Sequence, residues 1–102
     1  MEMALKDGQL QLLLQADLVA SRIRELVDKT NDFIHITEEY YIITLDMGAV
    51  KNIDSKGVTF VVGLYKSAEN NSKEFKAIGL NEDVYGLFQL MKLNKIFEIE
   101  LA

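Results

Sequence analysis

The sequence predicts an α/β fold: a single domain spanning residues 1–102, with a mixed β-sheet of about four to five strands packed with helices. Three observations carry this expectation. Leucines recur at period two within residues 9–15, and the run from Tyr40 to Leu45 is dense in β-branched and aromatic residues. Elsewhere apolar residues recur at helical spacing, so strand-like and helix-like stretches alternate along the chain.

The stretch QLQLLLQ sets Leu10, Leu12 and Leu14 on one face of a half-buried strand entered from the turn residues Asp7 and Gly8. An extra strand at residues 2–6 fits before it. After Asp17, the positions Leu18, Ile23, Leu26 and Val27 form the stripe of an amphipathic helix ending near Asn31, with Phe33 beyond and Asp17 or Ser21 as its cap. Tyr40 to Leu45 reads as a strand covered on both faces and ending at Asp46. Gly48 then leads to a short strand at residues 50–53, followed by Asp54-Ser55-Lys56-Gly57 and a second helix.

That helix carries Val58, Val61, Val62, Tyr65 and Ala68 or Glu69 on one stripe; its β-branched content is ambiguous, and its length together with Lys66, Ser67 and Glu69 favours helix. Phe60 and Leu64 fall on the flank. Either the helix is buried on two sides, or these exposed residues mark a docking patch of Thr59, Phe60 and Gly63. Residues 70–72 form a turn before a strand from Phe75 to Leu80. Asn81 is the expected N-cap of a third helix, with Glu82 and Asp83 at its positive end, Val84, Leu87, Phe88 and Met91 as core stripe, and Lys92 and Lys95 at its close. Residues 96–101 suit an edge strand. The expected order is β-α-β-β-α-β-α-β.

Sixteen acidic residues against eleven basic ones give a formal charge of −5, the wrong sign for a nucleic-acid backbone or an anionic membrane surface. A protein partner or small ligand fits better. Without cysteine and with His35 as the sole histidine, thiolate sites, zinc and haem are disfavoured, and no cofactor is expected. The apolar runs at residues 10–16 and 57–65 are too short to cross a bilayer. No targeting signal is recognisable, so a cytoplasmic location is the expectation. Asp46 and Asp54 invite an acid/base pair, but turn and cap roles are commoner at strand ends. His35 has no neighbouring nucleophile and reads as solvated, and residues 79–83 lack the glycine density of a phosphate loop.

Ser55 is the strongest candidate for function. It precedes an apolar helix, so its hydroxyl lies where backbone N–H groups and the helix dipole favour an anion. Taken alone, that describes an ordinary serine N-cap worth about 1 kcal/mol. The surrounding text says more. The stretch Ile42-Ile43-Thr44-Leu45-Asp46-Met47, then Val50-Lys51-Asn52-Ile53-Asp54-Ser55-Lys56-Gly57-Val58, then Val61-Val62-Gly63-Leu64-Tyr65-Lys66 closely resembles the STAS domain of bacterial anti-sigma-factor antagonists. Residues 83–97 are similar to that family's third helix and last strand, so the likeness covers nearly the whole chain.

The resemblance implies that Ser55 is phosphorylated by a partner that is both anti-sigma factor and serine kinase, and dephosphorylated by a PP2C-type phosphatase. The chain would then be a substrate, not an enzyme, bound to its partner when unmodified and released when phosphorylated. Asp54, Lys56 and Gly57 would shape the phosphorylation-site turn, and Asp17, Val19, Thr59, Phe60 and Gly63 would meet the partner. A monomer or weak homodimer is implied. Two departures stand out: Val19 occupies the place of a family aspartate that lies near the phosphoserine and the docked kinase's nucleotide, and Lys56 replaces a small Ser or Thr. Asp17 could substitute for that aspartate only in a rearranged turn. The rival reading is an unphosphorylated STAS adaptor subunit of an ABC lipid-transport complex. A small-ligand-binding STAS module is a second rival, for which the sequence carries no polar pocket signature.

Overall fold

Glycine at a positive φ sets the first turn of the chain. In the computed structural model, which describes residues 1–36 and 39–102 apart from the side chains of 33–36, Asp7 (φ 52) and Gly8 (φ 77) close a two-residue hairpin. It joins β1 (Glu2–Lys6) to β2 (Gln9–Leu13), which pair antiparallel. The chain continues through α1 (Ala20–Ile36), β3 (Ile42–Asp46), α2 (Ser55–Asn70), β4 (Glu74–Leu80) and α3 (Glu82–Leu90). A 3-10 turn at Leu93–Lys95 leads into β5 (Glu98–Leu101). The expected α/β domain and the extra N-terminal strand are both present.

The strands lie in the order β1-β2-β3-β4-β5, and every pair after the first is parallel. Each crossover therefore moves one strand along in the same direction, and right-handed connections put all three helices on one face. The register shows which residues that face buries. Leu10, Ile43 and Phe75 lie side by side across β2, β3 and β4, as do Leu12, Leu45 and Ala77, and all six are buried. Burying these side chains removes roughly 2 kcal/mol of exposure cost apiece for the larger ones, which holds the helices to the sheet.

Several expectations change. The predicted strand at residues 50–53 is absent: Ile53 makes only an isolated parallel bridge with Leu18, because the Lys51 and Asn52 amides bond to the Asp17 carboxylate instead of a strand. The order is thus β-β-α-β-α-β-α-β. Neither Asp17 nor Ser21 caps α1, whose first N–H donates to Asp54 Oδ2 at 2.8 Å, and the helix runs beyond Asn31 to Ile36. The side chains of Phe33 and His35 lie outside the described residues, though His35 falls within α1 rather than in a loop.

Met91 is not in the core; it is 47% exposed, because α3 stops at Leu90 and the chain swings away through Lys92 (φ 60). Finally, of the two readings of Phe60 and Leu64, burial of the helix on two sides holds and the exposed patch does not. At 5% and 4% accessibility they belong to the core with Val58, Val61 and Ala68, while Val62 and Tyr65 are half-buried. Helix α2 contacts both β4 and α1, which is why two of its flanks are covered.

Candidate functional site

The segment from Val50 to Gly57 contains no regular structure until α2 begins, so something other than a ladder must hold it. Three side chains do. Asp17 Oδ1 accepts from the Lys51 N–H at 2.7 Å and the Asn52 N–H at 3.0 Å, while its Oδ2 accepts from Asn52 Nδ2 at 3.2 Å. Asn81 Nδ2 donates to the Val50 and Lys51 carbonyls at 3.3 and 3.2 Å, and its Oδ1 caps α3 by accepting from the Val84 N–H at 2.8 Å. Asp54 completes the set. Its Oδ1 accepts from the Gly57 N–H at 2.8 Å, closing the first turn of α2, and its Oδ2 accepts from Ala20 at the start of α1.

One carboxylate thus joins two helix N-termini. The N–H groups of Gly57 and then Ala20 hold the Asp54 carboxyl below its usual range, and those of Asn52 and Lys51 do the same for Asp17. Both groups stay ionised at neutral pH. Asp54 is accordingly a cap rather than a proton donor, and Asp46 accepts from the Gly48 N–H at 2.9 Å as a turn residue. Among the described residues no cluster of His, Cys, Asp and Glu is arranged to hold a metal ion. No helix among them is long and apolar enough to cross a membrane.

Gly57 is where the loop meets the rest of the protein. A Cβ at this position would overlap the Leu18 carbonyl oxygen and come within 2.7 Å of Ile53 Cγ1 and 2.9 Å of Leu18 Cβ. Only a bare backbone lets α2 approach the β2–α1 connection so closely. Two backbone bonds seal that approach: Leu18 N–H to Asn52 O and Asp54 N–H to Leu18 O, each at 3.2 Å.

Ser55 rides on this platform as the first residue of α2, exposed to solvent. The N-cap is Asp54, so the helix starts one residue earlier than expected and the Ser55 hydroxyl is spared a capping bond. Its carbonyl accepts from Thr59 Oγ1 at 2.9 Å, one turn on. Lys56 and Thr59 are exposed beside it, and Gly63 lies a further turn along. Val19 is half-buried and immediately precedes Ala20, so it adjoins the Asp54 carboxylate, whereas the Asp17 carboxylate is turned to the Lys51–Asn52 backbone. Phe60 forms part of the floor beneath the helix, where truncation to alanine removes about 3–5 kcal/mol of packing.

Asn52 and Asn81 act on this loop in ways that residue type alone did not reveal. The available signal was that Asn side chains bond to nearby backbone in loops. Their partners are set by chain segments about thirty residues apart, which no local pattern records.

Comparison with known proteins places this architecture. Anti-sigma-B factor antagonists of Listeria monocytogenes and Listeria innocua are each 26% identical over 81 residues, covering 79% of this chain and 67% of theirs. A crystal structure from Thermotoga maritima, described as a candidate anti-sigma factor antagonist, superposes with a TM-score of 0.88 at 22% identity, covering 99% of this chain and 86% of that one. A sulfate transporter family protein from Wolinella succinogenes follows at 0.76 and 15% identity, covering 95% and 80%, and shares the fold. The family model of the STAS domain matches residues 1–102, and the chain therefore belongs to the STAS domain family.

Proposed function

We propose that this protein is a regulatory switch of the anti-sigma-factor-antagonist kind, acting by binding rather than by catalysis, with Ser55 as its phosphoacceptor. The observation that carries this reading is the state of Ser55: exposed at the start of α2, with its capping task taken by Asp54, so that the hydroxyl is open to a docked kinase. The relatives named as anti-sigma-B factor antagonists support the partner class. The partner is then an anti-sigma factor that is also a serine kinase. It docks on Ser55, Lys56, Thr59 and Gly63 of α2, with Val19 at the start of α1 beside them.

In the transfer step Ser55 Oγ attacks the γ-phosphorus of the kinase's ATP. The new Oγ–P bond forms as the bond to the β-phosphate oxygen breaks, ADP departs with that electron pair, and the hydroxyl proton passes to a base of the kinase. The product carries about −1.5 to −2 charges at the contact, next to the ionised Asp54. On a chain already at −5, this disfavours an acidic or apolar partner surface. A loss of about 2.7 kcal/mol releases the partner a hundredfold. A PP2C-type phosphatase hydrolyses the phosphoserine and restores the docking form.

Mass spectrometry of the protein isolated from its native cells tests the assignment. A phosphopeptide spanning Ser55 is expected, and it should vanish in Ser55→Ala. A phosphorylated species that persists in the variant removes Ser55 from the proposal. If no growth condition yields any phosphoprotein, the adaptor reading replaces the switch.

A further inference from the structure

The outer strands of the sheet are β1 and β5, and their free edges are unlike. On β5 the exposed Glu98 and Glu100 flank Ile99, so antiparallel pairing with a second β5 about Ile99 sets like charges opposite each other. Charge guards that edge. On β1 the stretch Glu2-Met3-Ala4-Leu5-Lys6 has opposite charges at its two ends and Ala4 at its centre. Laid end for end against a second copy, it sets Glu2 opposite Lys6, Met3 opposite Leu5 and Ala4 opposite itself.

The backbone fits the same register. Asp7 and Gly8 form a two-residue loop, so Lys6 and Gln9 are a hydrogen-bonded pair, and bonded and non-bonded pairs alternate from there along the hairpin. Lys6, Ala4 and Glu2 therefore direct their N–H and C=O groups at β2. On β2 the same alternation turns Leu14 the other way, and its N–H donates to the Asp46 carbonyl of β3 at 3.1 Å. The N–H and C=O groups of Met3 and Leu5 point outward from the sheet, with no partner among the described residues. Met3 facing Leu5 of a second copy is then a bonded pair that exchanges both N–H···O=C bonds, and Glu2 facing Lys6 is a non-bonded pair, whose side chains lie closer.

Side chains agree on both faces. Met3 and Leu5 lie opposite Leu12 and Leu10, on the face that carries the helices, yet Leu5 is 42% exposed. On the other face Lys6 forms no ion pair among the described residues, and Glu2 Oε1 accepts from Gln15 Nε2 at 3.0 Å, which leaves Oε2 for a partner. We propose that two copies of this chain pair antiparallel through β1, about a two-fold axis at Ala4, joining their sheets into one. The axis closes the assembly at two, because both β1 edges are used and only the acidic β5 edges are left outside. Five residues from each copy make a contact below the standard interface size, so the dimer is weak and reversible. None of Val19, Ser55, Lys56, Thr59 and Gly63 lies on β1, so the pairing does not rest on the phosphorylation reading.

Sedimentation equilibrium of the protein up to about 1 mM should show a mass that rises with concentration from one chain toward two. Lys6→Glu sets like charges opposite each other and should weaken the dimer about tenfold, and adding Glu2→Lys to it should restore the association. Leu5→Pro removes an outward N–H that β2 does not use and should abolish pairing; the charge exchange serves the same end if the proline variant folds poorly. The chain has no cysteine, so introduced ones report the register. Ala4→Cys should form an intermolecular disulfide on mild oxidation, since non-bonded pairs bring Cα atoms to about 4.5 Å, within disulfide reach. Glu2→Cys and Lys6→Cys should crosslink poorly alone and readily when mixed, and Glu98→Cys on the opposite edge should not crosslink. A single chain at every concentration overturns the proposal, as does a dimer that Lys6→Glu leaves unchanged. Crosslinking through Glu98→Cys in place of Ala4→Cys overturns it equally.

Discussion

Two glycines of α2 make a matched experiment on what holds Ser55 in place. Replacing Gly63 with alanine adds a Cβ into open space, so the ordinary helix gain of about 1 kcal/mol should appear. Unfolding entropy of about 2.1 cal/mol/K per residue over 102 residues makes 1 kcal/mol worth about 5 °C in Tm. Replacing Gly57 adds the same atom against the Leu18 backbone. The Ile53 side chain can rotate away, but the Leu18 carbonyl is tied by the Asp54 N–H and cannot. Overpacking of a fixed neighbour costs about 1–3 kcal/mol, and the upper end applies where backbone must yield.

After the helix gain is subtracted, Gly57→Ala should destabilise by about 2 kcal/mol and lower Tm by about 9 °C. The two variants then differ by about 3 kcal/mol, or about 14 °C. Differential scanning calorimetry of both, side by side, measures the gap. Amide shifts in Gly57→Ala should spread through residues 52–57 and 18–20. Equal Tm values for the two variants, or a rise in both, would refute the argument that close approach at Gly57 locates the Ser55 turn.

Two further outcomes follow from the same geometry. Asp17 and Asp54 have carboxyl groups held below their ordinary value of 3.8, so the stability they contribute is complete above that value and is lost as pH falls through the lower folded ones. Denaturant midpoints taken at pH 7, 5, 4 and 3 should therefore drop more for the wild type than for Asp17→Asn; parallel curves would show that the Asp17 bonds do not drive the acid limb. Thr44 is 4% exposed in β3 with its Oγ1 unpartnered among the described residues, and Thr44→Val should stabilise by about 1–2 kcal/mol in urea titration at unchanged slope. A destabilised variant would mean that this hydroxyl is bonded.

The elements that were legible in the sequence are those whose cause is local. Period-two leucines in β2, the buried run of β3 and the Asn81 cap each depend on residues within a few positions of one another, and the structure has all three. The helix beginning beside Ser55 was legible as well, though the serine itself was singled out by the family likeness of the surrounding text and not by its local pattern. The residues left open between two readings are those shared between distant segments. Phe60 and Leu64 lie on a second buried flank that exists only because α1 folds back over α2.

By itself, then, the sequence determined the α/β class, the succession of elements from the helix at Ser55 onward, and the family likeness carried by their text. Only the tertiary structure decided that residues 50–53 are a clasped loop rather than a strand, and that Asp54 caps α1 as well as α2. The physical reason is that a backbone N–H takes whichever acceptor the fold brings near. For Lys51 and Asn52 that acceptor is Asp17, more than thirty residues away, and for Ala20 it is Asp54 at a like separation.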